Sequence, residues 1–173
     1  MRSTELLYFL LLNIKNIFPN ILNYILNLIG LLILAHVLYV LINKFAPKYL
    51  DKISNITVLR LLKHLGIGLG FLILVPLVSI LLLITNVGSI LGLILLLIYI
   101  ILLLLAKPIF IISIATFAKN KCAKKLNIYL YILIIDVILS LITLIPYVGF
   151  IISILVSLIG FGMITRNLIP KKN

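Results

Sequence analysis

NIYLYILIIDVILSLITLIPYVGFIISILVSLIGFGMITRN, residues 127–167, decides the fold of this chain. It reads as two apolar helices folded back on each other at Pro146-Tyr147-Val148-Gly149, with one carboxylate, Asp136, inside the first. Each run is about as long as the hydrocarbon layer of a bilayer is thick. In lipid, backbone polar groups must be satisfied internally, so such runs are helices or closed barrels. Barrel strands alternate polar and apolar residues. These runs are apolar on every side, and helices follow.

The remainder of the chain has the same character. Of 173 residues, 65% are hydrophobic and 10% charged, with a mean hydropathy of +1.42. A soluble domain is about half apolar and about a quarter charged. Further apolar runs fall at 20–42, 65–84 and 90–106, which with 127–145 and 148–165 makes five expected spans. The expected class is therefore all-α, a polytopic transmembrane helix bundle. One domain covers 20–173. Residues 1–19 precede it as an interfacial amphipathic helix, in which Leu6, Leu7, Leu10, Leu11, Ile14, Ile17 and Phe18 recur at helical spacing. No small-residue cleavage site follows that stretch, so it reads as mature protein rather than a signal peptide.

Charge sets the orientation. The chain carries 15 Lys and Arg against 3 acidic residues. These cations lie in short segments between apolar runs, the pattern of topology determinants that face anionic lipid headgroups, and not of a nucleic-acid surface. Segments 43–64, 119–126 and 166–173 carry 5, 4 and 3 of them, whereas turns 85–89 and 146–149 carry none. Five spans place all three basic segments on one side. The positive-inside rule makes that side of the cell membrane cytoplasmic, with the C-terminus there and the N-terminus outside. If residues 5–18 also span, the N-terminus moves inside.

Polar and small residues inside the spans mark contacts. Asn20, Asn23 and Asn27 share one face of span one, and His36, nine residues on, is expected near the same face. Asp136 lies halfway along its span, where a bare carboxylate costs about 2.5–3.5 kcal/mol on insertion scales. It must be protonated, paired or wet; His36, Lys107, Asn23 and Asn27 are its expected partners. Pro76 falls mid-span and leaves the carbonyl near Leu72 without its usual donor. Lys107-Pro108 is expected to break span three, and residues 50–65 to form an amphipathic helix with its apolar side toward the bilayer. Gly66 with Gly70, Gly88 with Gly92, and Gly160 with Gly162 are expected to let helices approach closely. Tryptophan is absent, which leaves the interfacial role to tyrosine.

No catalytic or metal-binding constellation emerges, and no cofactor is implied. Gly66-Ile67-Gly68-Leu69-Gly70 lacks the lysine and hydroxyl of a phosphate loop. Three acidic residues are too few for paired-carboxylate chemistry. Cys122 is the single cysteine, so no intrachain disulfide forms.

From about Leu62 to Arg166 the chain resembles the membrane domain found C-terminal to bactofilin-type, polymer-forming modules of bacteria and archaea. The matching features are Gly66-Ile67-Gly68 followed by Pro76, Leu83-Ile84-Thr85-Asn86-Val87-Gly88, Ala106-Lys107-Pro108, and Ile145-Pro146-Tyr147-Val148-Gly149 running into Gly160-Phe161-Gly162. Ala46-Pro47 fits the segment that precedes that domain. Ser89-Ile90 departs from it, where a proline is expected, and these residues contain no polymer-forming module. The resemblance implies a non-enzymatic membrane anchor or scaffold, with a cytoplasmic protein partner bound in trans or a homo-oligomer. The competing expectation is a small oligomeric transporter or channel that uses Asp136.

Overall fold

A computed structural model describes residues 3–85, 88–122, 126–145 and 147–168, with side chains from Leu22 to Arg166 within those ranges. Pro146 of the expected turn, Asn86, Val87, Lys124, Lys125, Lys171, Lys172 and the side chains of the expected interfacial stretch lie outside what is described. The protein is all-helical: α1 (Ser3–Phe45), α2 (Pro47–Ser54), α3 (Val58–Ile84), α4 (Ser89–Lys121), α5 (Ile128–Thr143) and α6 (Val148–Leu168). Among the described residues, four segments are long and apolar enough to cross a membrane, at Leu22–Phe45, Val58–Ile84, Ser89–Lys121 and Val148–Arg166. The fifth expected span, α5, has 16 residues and reaches only about 24 Å.

Three expected boundaries differ. The backbone of α1 runs unbroken for 43 residues, about 65 Å, so the stretch assigned to 1–19 and span one form a single helical element. Helix α4 continues through Lys107-Pro108 to Lys121. A proline inside a helix costs about 3 kcal/mol. Here dense packing outweighs it: Ala106, Pro108 to Ser113 and Ala115 are all buried, between α1, α2, α5 and α6. The expected amphipathic helix over 50–65 is divided at Asn55–Thr57 into α2 and the start of α3. Its residues Leu50 and Ile53 do not face the bilayer but join a core with Ile109, Phe110, Ile112, Val156 and Met163. The free carbonyls at the end of α2 are met by side chains. Ser54 Oγ donates to Asp51 O at 3.0 Å and Ser113 Oγ to Ile53 O at 2.5 Å.

Helices α3, α4 and α6 make the tightest unit, and glycine explains it. A Cβ on Gly162 would overlap the His64 carbonyl, one on Gly68 the Leu158 carbonyl, and one on Gly160 the Ala106 carbonyl. Gly92 lies against the Ser79 carbonyl, at 2.8 Å from the Cβ position, and Gly88 is closed in by Thr85 and Leu82. Gly160 and Gly162 therefore serve two different neighbours. Two residues at 100° each place them on opposite sides of α6. Gly66 and Gly70 are corrected: both are exposed, with nothing within 4 Å of a Cβ. The residue between them, Gly68, makes the contact.

The carbonyl freed by Pro76 has found a donor on the neighbouring helix. Tyr99 of α4 donates its hydroxyl to Leu72 O at 3.1 Å, and its ring meets Phe161 of α6 edge-on. Tyr99→Phe removes that donor and leaves a partly buried carbonyl unmet. The expected cost is about 1–3 kcal/mol, read as a lower unfolding midpoint in detergent.

Helix α1 lies antiparallel to α5. The Tyr24 hydroxyl donates to the Ser140 carbonyl near one end, and His36 stacks on Tyr129 near the other, with 5.6 Å between centroids. The same logic makes α3 antiparallel to α6, since His64 lies by Gly162 and Gly68 by Leu158. Between α5 and α6 the chain bends at Tyr147, φ 66°, the described non-glycine residue with positive φ. These pairings bring Lys44, Lys48, Lys52, Arg60, Lys63, Lys119, Lys121 and Arg166 toward one end of the bundle.

Candidate functional site

Asp136 is the polar residue of the bundle interior that the local sequence explains least. It sits in the second half of α5, in line with Ile132 and Ser140 one turn to either side, and all three are buried. Its own exposure is 0%. Neither carboxylate oxygen has a hydrogen-bond partner among the described residues. This contrasts with hydroxyls elsewhere in the bundle. Ser79, Thr116, Thr143 and Thr165 each donate to a carbonyl of the preceding turn, which satisfies them within their own helix.

The structure separates the expected partners of Asp136. His36 of α1 lies within electrostatic reach of it. It makes no hydrogen bond to the carboxylate. Its Nδ1 lies 2.8 Å from the Leu32 carbonyl and its ring is stacked on Tyr129, which Tyr39 meets edge-on. Asn23 and Asn27 are exposed on the outside of α1. They do not share a face with His36, because nine residues at 100° each carry the chain half a turn past Asn27. Lys107 is half-buried on α4 and makes no bond to the carboxylate. The expected cluster of Asp136, His36, Asn23, Asn27 and Lys107 thus comes down to Asp136 with His36 as its electrostatic neighbour.

Around this pair the lining is apolar and aromatic. Ala35, Ile111, Ala115, Ile128, Tyr131 and Ile132 form a buried cluster, with Leu31, Leu32, Tyr39 and Leu139 at its edge. Such a setting can hold a proton on the carboxyl group or accept one donor brought by a partner. It supplies no ligand set for a metal, since no three His, Cys, Asp or Glu side chains come together among the described residues. A second polar contact, between buried His64 and the Gly162 carbonyl at 3.3 Å, joins α3 to α6. Sequence reading missed it, as it missed Gly68 and Tyr99. The available signals were a glycine midway between the paired ones and a tyrosine far from either end of its span.

The family described as a domain of unknown function, DUF8173, matches residues 16–173. No curated protein matches the chain, and no solved structure matches it.

Proposed function

The chain belongs to the DUF8173 family, and we propose that it is a non-enzymatic membrane anchor or scaffold. The observation that carries this reading is the packing of α3, α4 and α6 through Gly68, Gly92, Gly160 and Gly162. Helices that meet at backbone distance leave no space for a solute between them. The resemblance to the membrane domain that follows bactofilin-type modules points the same way. The basic residues at one end of the bundle favour a cytoplasmic position for that end and for the C-terminus. There the exposed Lys48 and Lys52 of α2 offer a cytoplasmic protein partner a cationic surface beside anionic headgroups.

A second reading, a small oligomeric transporter or channel, draws support from one observation. A carboxyl group fully buried without a hydrogen-bond partner among the described residues is the kind of intramembrane group that marks ion pathways. Flux separates the two. Wild type and Asp136→Asn are reconstituted in liposomes with a pH gradient and a panel of monovalent and divalent ions. The anchor reading expects no flux above protein-free liposomes from either. A wild-type flux that Asp136→Asn abolishes would overturn it.

A further inference from the structure

The asparagines of α1 take no part in the Asp136 site. Asn23 and Asn27 are exposed, and their neighbours Leu22, Leu26, Ile33 and Val37 are exposed apolar side chains. The hydrogen bond of Tyr24 to Ser140 and the stacking of His36 on Tyr129 bracket Asn27. It therefore lies level with the second half of α5, inside the apolar layer. Lipid tails offer a carboxamide neither donor nor acceptor, although it carries two N–H groups and a carbonyl. The bundle side of α1 is a different face. It carries the fully buried Ala35 and, with Tyr24, His36 and Tyr39, the contacts to α5. One turn beyond Asn27, Gly30 has nothing within 4 Å of a Cβ position.

We propose that the face of α1 formed by Asn23, Asn27 and Gly30 is the contact between two copies of this chain. The face is complementary to itself. Copies inserted in one orientation carry α1 in parallel, and a two-fold axis along the membrane normal sets each asparagine opposite its twin at equal depth. A carboxamide both donates and accepts, so two identical ones satisfy each other. Residues 23, 27, 30, 34, 37 and 41 repeat at the three-four spacing of a left-handed helix pair. The absent side chain of Gly30 lets the two backbones approach next to the amides. This goes beyond the anchor reading, since an anchor functions equally well as a monomer.

Single-molecule photobleaching in lipid bilayers over a range of protein-to-lipid ratios tests the proposal. The expected result is a wild-type dimer, a roughly tenfold weaker one for Asn27→Leu, and a comparable loss for Gly30→Leu. Both changes point away from the bundle, so the helical content of the monomer is unaffected. In a Cys122→Ser background, Asn27→Cys is expected to cross-link two copies under oxidation, and Ile94→Cys, exposed on α4, is not. A wild type that is monomeric at every ratio would overturn the proposal. So would dimers that neither variant weakens, or cross-linking through Ile94→Cys in place of Asn27→Cys. A dimer formed through another face leaves the anchor reading intact, and an Asp136-dependent flux overturns that reading without touching this one.

Discussion

Gly162→Leu is expected to prevent α3 and α6 from docking, and Gly160→Leu to do the same to α4 and α6. The reason is the identity of the atoms in the way. A Cβ on Gly162 would overlap the His64 carbonyl oxygen and lie 2.6 Å from its carbon. A Cβ on Gly160 would meet the Ala106 carbonyl in the same manner, with its carbon at 2.7 Å. Overpacking a core costs about 1–3 kcal/mol when the neighbours are side chains that can rotate. Backbone cannot turn aside, so the helices must part. Parting them gives up the His64–Gly162 contact and the Tyr99–Phe161 ring contact as well. The matched controls are Gly66→Leu and Gly70→Leu, whose Cβ positions have nothing within 4 Å. In detergent, the controls are expected to elute as one species and unfold at the wild-type midpoint. The Gly160 and Gly162 variants are expected to aggregate or to lose a cooperative transition. A Gly162→Leu protein with the wild-type midpoint would show that α3 and α6 do not pack through this glycine.

Asp136→Leu is expected to raise stability by about 1–3 kcal/mol, the cost of a buried polar group left without a partner. Leucine has the branching of aspartate, with methyl groups in place of the two oxygens that find no hydrogen bond among the described residues. The surroundings are already apolar, with Ile132 one turn away and Ile111 and Ala115 across from α5. The measurement is the unfolding midpoint in detergent beside that of Asp136→Ala, which removes the carboxyl group and adds no bulk. Gains in both variants identify the carboxyl as a local liability, of the kind that proteins retain for function. Losses in both would mean that Asp136 has a partner beyond the described residues. A loss in the leucine variant alone reports crowding.

Much of the fold was legible because a membrane imposes strong one-dimensional constraints. Run length against bilayer thickness located the long apolar helices, and the absence of alternation excluded strands. The demand that proline makes on its helix foretold an orphan carbonyl near Leu72, and Tyr99 now fills it. Helix ends were less legible where proline misled. At Lys107-Pro108 the local penalty predicts a stop, but packing on all sides carries α4 onward to Lys121. At Pro47 the following residues read as one helix facing lipid, whereas Leu50 and Ile53 are needed in the core beside α4.

The candidate site was legible in part. Asp136 was recognisable because a carboxylate in an apolar run is costly wherever it points. Its partners were not. Sequence spacing fixes the angle between two residues of one helix, which would have set His36 half a turn from Asn27. It says nothing about which neighbour occupies that angle.

What the sequence determined by itself is therefore the class of the protein, an α-helical membrane protein with its basic segments grouped between apolar runs. Hydropathy and charge are properties of the chain, and the bilayer reads them without reference to neighbours. Tertiary structure alone decided which glycines are contacts, that Asp136 is buried without a hydrogen-bond partner among the described residues, and that Asn23 and Asn27 face outward. The physical reason is the solvent. In water, the buried side of a helix is its apolar side and can be read from periodicity. In lipid, the surrounding tails are as apolar as the core, so the sides of α4 and α6 look alike in sequence, and only close packing distinguishes Gly68 from Gly66.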